Sequence, residues 1–290
     1  MTELIISILS SSVLFFIFRL FPRYKVDTAQ AIVVNYFTAF ICGCIVSGSL
    51  PDFGELAETS LLPYVVISGF LFISLFIGMG ISSYQNGMGT TSVAVKMSMA
   101  LSMIFFIIAY GESVTLFKIA GFVLAFLGIF LITFEKNEPG KRSSALVLLL
   151  FLFAGSALLD IVLNYVQRSQ LKGYPSSLFT AWGFLAAGIT GTLWMTGQYL
   201  LKKRSFSWRN VAGGIILGIP NYFSIYLLIR SYSTTGWSDS TTLAVTGIAI
   251  VSLSAVFGIV VFKESAKWQK LAGLGAAIGA IVLLGLAARH

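Results

Sequence analysis

Nine side chains place a charge, an amide or a ring with a polar tip inside or near a long apolar run. They are Asn35, Tyr36, Lys96, Asp160, Asn164, Trp182, Asn221, Tyr222 and Arg230. A lysine such as Lys96 either holds a carboxylate or phosphate, pairs with a carboxylate that takes up a proton, or snorkels to the nearer interface. Asp160 lies in Leu158-Leu159-Asp160-Ile161-Val162, where an unpaired carboxylate must take a proton or find a partner. It reads either as a proton-coupling site or as half of a structural ion pair. Arg230 falls at a similar depth by residue counting and is the expected partner; Lys96 lies nearer the opposite face and is the poorer one. Asn164 follows Asp160 by one turn on the same helix face. Pro220-Asn221-Tyr222 interrupts a run near its middle. A proline there frees a backbone carbonyl, and the adjacent amide and phenol can replace it or touch a solute. Asn35, Tyr36 and Trp182 are read as cavity walls that stack on a solute, or as packing and interface anchors.

Other chemistry is excluded. The one histidine is the terminal His290, so Ser-His-Asp catalysis, HExxH zinc sites and histidine relays have no residue to use. Cys42 and Cys44 are two positions apart with no histidine nearby, and are read as packing residues, not a metal pair or a disulfide. With Asp160 the single deep aspartate, an intramembrane protease dyad is not expected either. No enzyme activity, metal or cofactor is expected.

These side chains need elements to hold them. Apolar types make up 57% of the chain and charged types 10%, against about 25% charged in soluble domains. So few charges cannot clothe a water-exposed surface, which points to an all-α integral membrane protein. A span needs roughly 20 apolar residues. Ten such runs are read, at about 3–21, 28–48, 61–85, 89–110, 115–134, 144–167, 175–200, 210–234, 238–262 and 267–287. Turn chemistry separates them: Pro51-Asp52-Phe53-Gly54, Asn86-Gly87, Asn137-Glu138-Pro139-Gly140 and Gly173-Tyr174-Pro175. The runs are about twice the length of a barrel strand, so helices are expected. The first run has Glu3 as its one charge before Arg19, without a basic n-region, and is read as a retained span and not a signal peptide.

Lys and Arg follow spans one, five, seven and nine, whereas loop 51–60 is acidic. Counting basic residues therefore places both termini outside. The net charge of +8 reads as topology and not as nucleic-acid binding, because the basic residues are divided among short loops. A bacterial inner-membrane location is expected.

Self-comparison finds a repeat. Residues 98–134 align without gaps on 250–286: Leu101-Ser102 meets Leu253-Ser254, Glu112-Ser113 meets Glu264-Ser265, and Lys118 meets Lys270. A weaker match of 28–43 with 174–189 takes Tyr36 to Trp182. Residues 1–138 and 139–290 thus form two five-span copies. Five is odd, so the second copy enters the membrane upside down, a common transporter plan with the substrate site between the copies. Glu112 and Glu264 precede the next helix and are read as structural, with Ser113 and Ser265 as caps. Spans five and ten, nearly free of polar side chains, are read as scaffold and as a candidate homodimer face.

Ten spans as five plus five, with Gly111-Glu112-Ser113…Lys118…Gly121 after span four and Lys263-Glu264-Ser265…Lys270…Gly273 after span nine, resemble the drug/metabolite transporter superfamily, in particular its EamA type. The resemblance covers nearly the whole chain. It implies a carrier of small metabolites such as amino acids, working by alternating access, with a proton or counter-substrate as coupling partner. Relatives that carry nucleotide sugars or sugar phosphates supply the alternative; a non-transporting scaffold is a further one. Two departures stand out: spans four and nine lack the proline frequent in that family, and the family plan puts both termini in the cytoplasm.

Overall fold

The computed structural model describes residues 1–86, 95–133, 143–201, 207–261 and 268–287. Among these the architecture is all-α, with no strand. The helices are α1 (Thr2–Leu20), α2 (Thr28–Ser47), α3 (Phe53–Glu58), α4 (Leu62–Asn86), α5 (Met99–Tyr110), α6 (Leu116–Thr133), α7 (Ser143–Tyr165), α8 (Ser176–Leu201), α9 (Trp208–Thr234), α10 (Asp239–Val260) and α11 (Trp268–Ala287). A π-helical turn, Val166–Gln170, extends α7. Among the described residues six segments are long and apolar enough to cross a membrane: Thr28–Ser47, Leu62–Met79, Val147–Gln170, Ser176–Gly197, Trp208–Thr234 and Asp239–Val260. Four shorter apolar helices accompany them: Thr2–Phe18, Val95–Tyr110, Leu116–Leu131 and Leu271–Leu284. Large apolar side chains such as Ile45, Ile108 and Leu193 stand exposed. That suits a surface solvated by lipid and would be an aggregation hazard in water. Lys263, Glu264 and Ser265 lie outside the described residues.

Local signals set the helix ends. Asp27 opens α2 by accepting from the N–H groups of Ala29 (2.9 Å) and Gln30 (3.3 Å), and Gly48 closes it at φ 69°, a left-handed conformation natural to glycine. Two expectations are corrected. The acidic loop 51–60 contains α3, because the Asp52 carboxylate accepts from Gly54 N–H at 2.8 Å and starts a short helix. Pro220 does not break its span: α9 runs through it without interruption. Membrane helices tolerate an internal proline where neighbours pack around the freed carbonyl.

Two compact units divide the chain, and each combines two separate stretches. The first comprises Met1–Ile77 and Val162–Thr234, the second Gly78–Ile161 and Thr235–His290. These units follow contacts, so their borders differ from the sequence border at 138/139.

In the first unit α2 lies between α8 and α9. It runs antiparallel to α8: Gly43 meets Ala181, and Gly191 meets Val33. It runs parallel to α9: Gly214 meets Ala31 and Val34, and Gly218 meets Asn35 and Thr38. In lipid, such close backbone approach replaces hydrophobic exclusion as the source of helix association. A Cβ added at Gly218 would sit 2.5 Å from Thr38 Cβ and 2.7 Å from the Asn35 carbonyl oxygen. Gly218→Leu is therefore expected to cost about 1–3 kcal/mol by forcing α2 and α9 apart, read as a lower unfolding temperature in detergent. A wild-type melting curve would refute that close packing.

In the second unit α6 and α11 also cross antiparallel, with Gly121 against Leu284 and Gly128 against Ala277. α10 packs on α5, α6 and α11.

Candidate functional site

Two of the charges that the sequence sets inside apolar runs lie in the second unit. Asp160 on α7 and Lys96, just before α5, act on each other electrostatically. Both are half-buried. The buried Ser102 hydroxyl on α5 lies 3.4 Å from Asp160 Oδ2 and 3.3 Å from the Ala157 carbonyl oxygen. Lys96, not Arg230, is thus the charge that acts on Asp160, which corrects the expected pairing. Residue counting measures the depth of a Cα, whereas a lysine stem carries its ammonium several ångströms from there. Arg230 turns outward instead. Its Nη2 pairs with Glu3 Oε1 at 2.9 Å, and its Nη1 donates to Tyr226 Oη at 3.1 Å. Thr234 Oγ1 donates to Glu3 Oε2 at 2.5 Å. This cluster fastens the start of α1 to the end of α9.

The first unit holds an aromatic and amide core. Tyr36 stacks on Phe184 with centroids 5.9 Å apart, and Phe184 lies 6.4 Å from Tyr222, which stacks on Tyr226 at 5.3 Å. Phe72 and Phe76 flank Tyr36. Asn221 Nδ2 donates to Asn35 Oδ1 at 3.1 Å, and both amides are buried. The hydroxyls of Tyr36 and Tyr222, and both amide atoms of Asn164, are buried without a hydrogen-bond partner among the described residues. Such atoms carry a desolvation cost that a polar solute would relieve. The sequence candidates Asn35, Tyr36, Asn221 and Tyr222 therefore come together on α2 and α9.

Asn221→Leu strands the Asn35 amide oxygen. It should cost about 1–2 kcal/mol in chemical unfolding, and the Asn35→Leu/Asn221→Leu pair should recover most of that loss. No recovery in the double variant would mean that the two amides do not act as a pair.

Trp182 makes anchoring contacts, one of the two roles expected of it. Its Nε1 donates to Tyr174 Oη at 3.2 Å, and its ring meets Phe53 edge-on at 6.1 Å. These contacts hold it near the α8 start, while Phe184, two residues on and on a different face of the helix, stacks on Tyr36.

A buried pair missed in the sequence lies further along the α2–α9 seam. Asn210 Nδ2 donates to Gln30 Oε1 at 2.7 Å, and Asn210 Oδ1 accepts from Asp27 N–H at 2.9 Å. The signal was available: an amide at each helix start, both within the first turn.

Glu112 is structural, as expected, but not through its own helix. Its carboxylate accepts from Lys118 Nζ at 2.7 Å, from Ser240 N–H at 3.2 Å, and from the Ser240 hydroxyl. It therefore stands at the start of α10. Thr115, not Ser113, caps α6, accepting from Lys118 N–H at 3.2 Å. Lys118 is buried with it, so it belongs to this cluster and not to a basic loop.

No family model matches the chain. An uncharacterised protein of Haemophilus influenzae is 27% identical over 283 residues, covering 95% of this chain and 94% of the relative. A chain in a crystal structure described only as a protein shares the fold: TM-score 0.74, 13% identity, and 99% of each chain covered. At that identity the likeness speaks for the fold alone.

Proposed function

We propose that the chain is a secondary transporter of the EamA type in the drug/metabolite transporter superfamily. It moves a small polar metabolite, such as an amino acid, by alternating access between inverted repeats. The carrying observation is the crossing of α2 with α8, the second spans of the two copies. Tyr36 stacks on Phe184, and the contacts Gly43–Ala181 and Val33–Gly191 exchange with one another when the copies are interchanged in the register that matches Tyr36 to Phe184. A residue stacked on its own counterpart marks a local two-fold, and antiparallel counterparts are what an inverted repeat requires.

The other helix pairs support the same plan. α6 packs antiparallel on α11, and α5 on α10, which are spans five with ten and four with nine. The carbonyl-and-Cβ cradle that Gly218 meets on α2 recurs where Gly69 of α4 meets Gly183 and Ala186 of α8. On this reading the four shorter apolar helices also cross, giving ten spans in two copies, 1–138 and 139–290.

The aromatic and amide core supplies apolar walls and unsatisfied polar atoms for a solute. The Lys96–Asp160 pair supplies exchangeable charge for a coupled proton or counter-substrate. The protein acts in the bacterial inner membrane, with both termini on one side.

Uptake into proteoliposomes tests the reading, with a panel of labelled amino acids, related solutes and sugar phosphates under an imposed pH gradient. Saturable transport of one class is the expected result. Absence of transport across the panel in both membrane orientations would remove the proposal.

A further inference from the structure

A cavity of about 600 Å³ opens where the end of α1 meets the start of α9, and none of the residues above lines it except through the chain that frames it. Two chemical zones meet in it. Its inner wall is apolar, formed by Ile17, Leu20, Phe21 and Ile216. Phe21 and Ile17 are locked there in a buried cluster with Ala31 and Leu217. Its rim carries three cations, Arg23, Lys25 and Arg209, and among the described residues no acidic side chain lines it.

The rim has a defined depth. Tyr24 and Trp208, beside these cations, are 62% and 78% exposed. Exposed aromatics of this kind at the ends of apolar helices mark the headgroup level of a bilayer. Ile216 is exposed as well, so the apolar zone opens toward lipid. The backbone holds one cation in place at a conformational cost. Lys25 N–H donates to the Pro22 carbonyl, Val26 N–H donates to the Phe21 carbonyl, and Lys25 has φ 53°. That turn ordinarily takes glycine at the left-handed position. A lysine there points its side chain from a fixed site at a position where glycine would be easier.

We propose that this cavity binds an anionic phospholipid. Its phosphate is held by Arg23, Lys25 and Arg209, and one acyl chain lies along Ile17, Leu20 and Ile216. The match is one of charge and of depth: a row of cations at headgroup level over an apolar slot open to the acyl region is complementary to an anionic lipid and not to a zwitterionic one. Basic recesses between membrane helices serve this purpose generally. The inference is independent of the transport proposal.

The purified full chain in detergent, titrated with phosphatidylglycerol or phosphatidylcholine of equal chain length and read by native mass spectrometry and thermal unfolding, tests it. Wild-type protein should retain phosphatidylglycerol preferentially and melt at a higher temperature with it. Each cation removed in Arg23→Gln, Lys25→Gln and Arg209→Gln should weaken retention by about five-fold. Lys25→Gly removes one charge while easing the backbone. It should lose retention without losing stability, which separates a binding effect from misfolding. Equal retention of the two lipids by wild-type protein overturns the proposal, and so does undiminished phosphatidylglycerol retention in both Lys25→Gly and the triple variant. Inorganic phosphate alone should leave the melting temperature unchanged; a shift equal to that from the lipid would assign the site to a free anion and overturn it too.

Discussion

Glu112→Gln is expected to lower the stability of the chain by about 3–5 kcal/mol, the loss typical when one partner of a buried pair is removed. The Lys118 and Glu112 side chains are 4% and 6% exposed and lie 2.7 Å apart. Removing the carboxylate charge leaves the Lys118 ammonium with the Ser113 carbonyl oxygen at 3.3 Å, too little to balance a buried positive charge. It also weakens the contact with Ser240 at the start of α10, where a negative charge is favoured by the helix dipole. Lys118→Met should be comparably destabilising, whereas Glu112→Gln/Lys118→Met should cost well under the sum, because no charge is then stranded.

The pH dependence has a definite sign. Burial by itself pushes the Glu112 carboxyl up, but the hydrogen bonds from Lys118 and from the Ser240 hydroxyl and N–H, with the Lys118 charge, together hold it below the ordinary carboxylate range. The unfolded group titrates near about 4.3. The contribution of Glu112 is therefore fully present above that value and is lost as pH falls through the folded pKa. Denaturant melts in detergent at several pH values measure both effects. A Glu112→Gln variant within about 1 kcal/mol of wild type, with an unchanged acid limb, would show that the pair contributes little.

Much of this organisation was legible in the residues, and the misses share one cause. Apolar runs and turn residues located the helices to within a few positions, because hydrophobic length and Gly, Pro, Asn and Asp chemistry act locally. The Glu-Ser-x₄-Lys match pointed to a structural role that Glu112 and Lys118 fill. The helix dipole it serves belongs to α10, however, which is 128 residues away in the chain. Tyr36 stacks on Phe184, a contact that depends on how α2 crosses α8 and that no apolar pattern within either helix specifies. Arg230 and Lys96 exchanged roles because counting residues gives the depth of a backbone, while long cationic side chains choose their own. The Asn35–Asn221 and Gln30–Asn210 pairs join residues whose meeting depends on the α2–α9 crossing, which no local pattern specifies.

Under the transport function proposed above, Asp160→Asn is expected to abolish gradient-driven transport, lowering concentrative uptake more than about ten-fold, a change of at least about 1.4 kcal/mol in the coupled step. Asp160 and Lys96 act on each other electrostatically, and the Ser102 hydroxyl lies beside Asp160. A carboxylate in such a place has two ways to avoid standing alone, the lysine or a proton. If transport alternates between them, the step that separates Asp160 from Lys96 must be accompanied by proton uptake. The asparagine cannot take up that proton, so net uptake stops while exchange of solute for solute across the membrane continues. Lys96→Met removes the other alternative and should leave transport that no longer responds to the pH gradient.

A purely structural pair behaves differently. Each single variant would then lose folded protein, and Asp160→Asn/Lys96→Met would recover both folding and uptake, because the stranded charge is gone. Measuring expression, melting temperature, net uptake and exchange for all four proteins separates the two cases. A folded double variant with wild-type net uptake would remove Asp160 and Lys96 from the coupling step. A folded double variant that exchanges but does not concentrate would keep them in it.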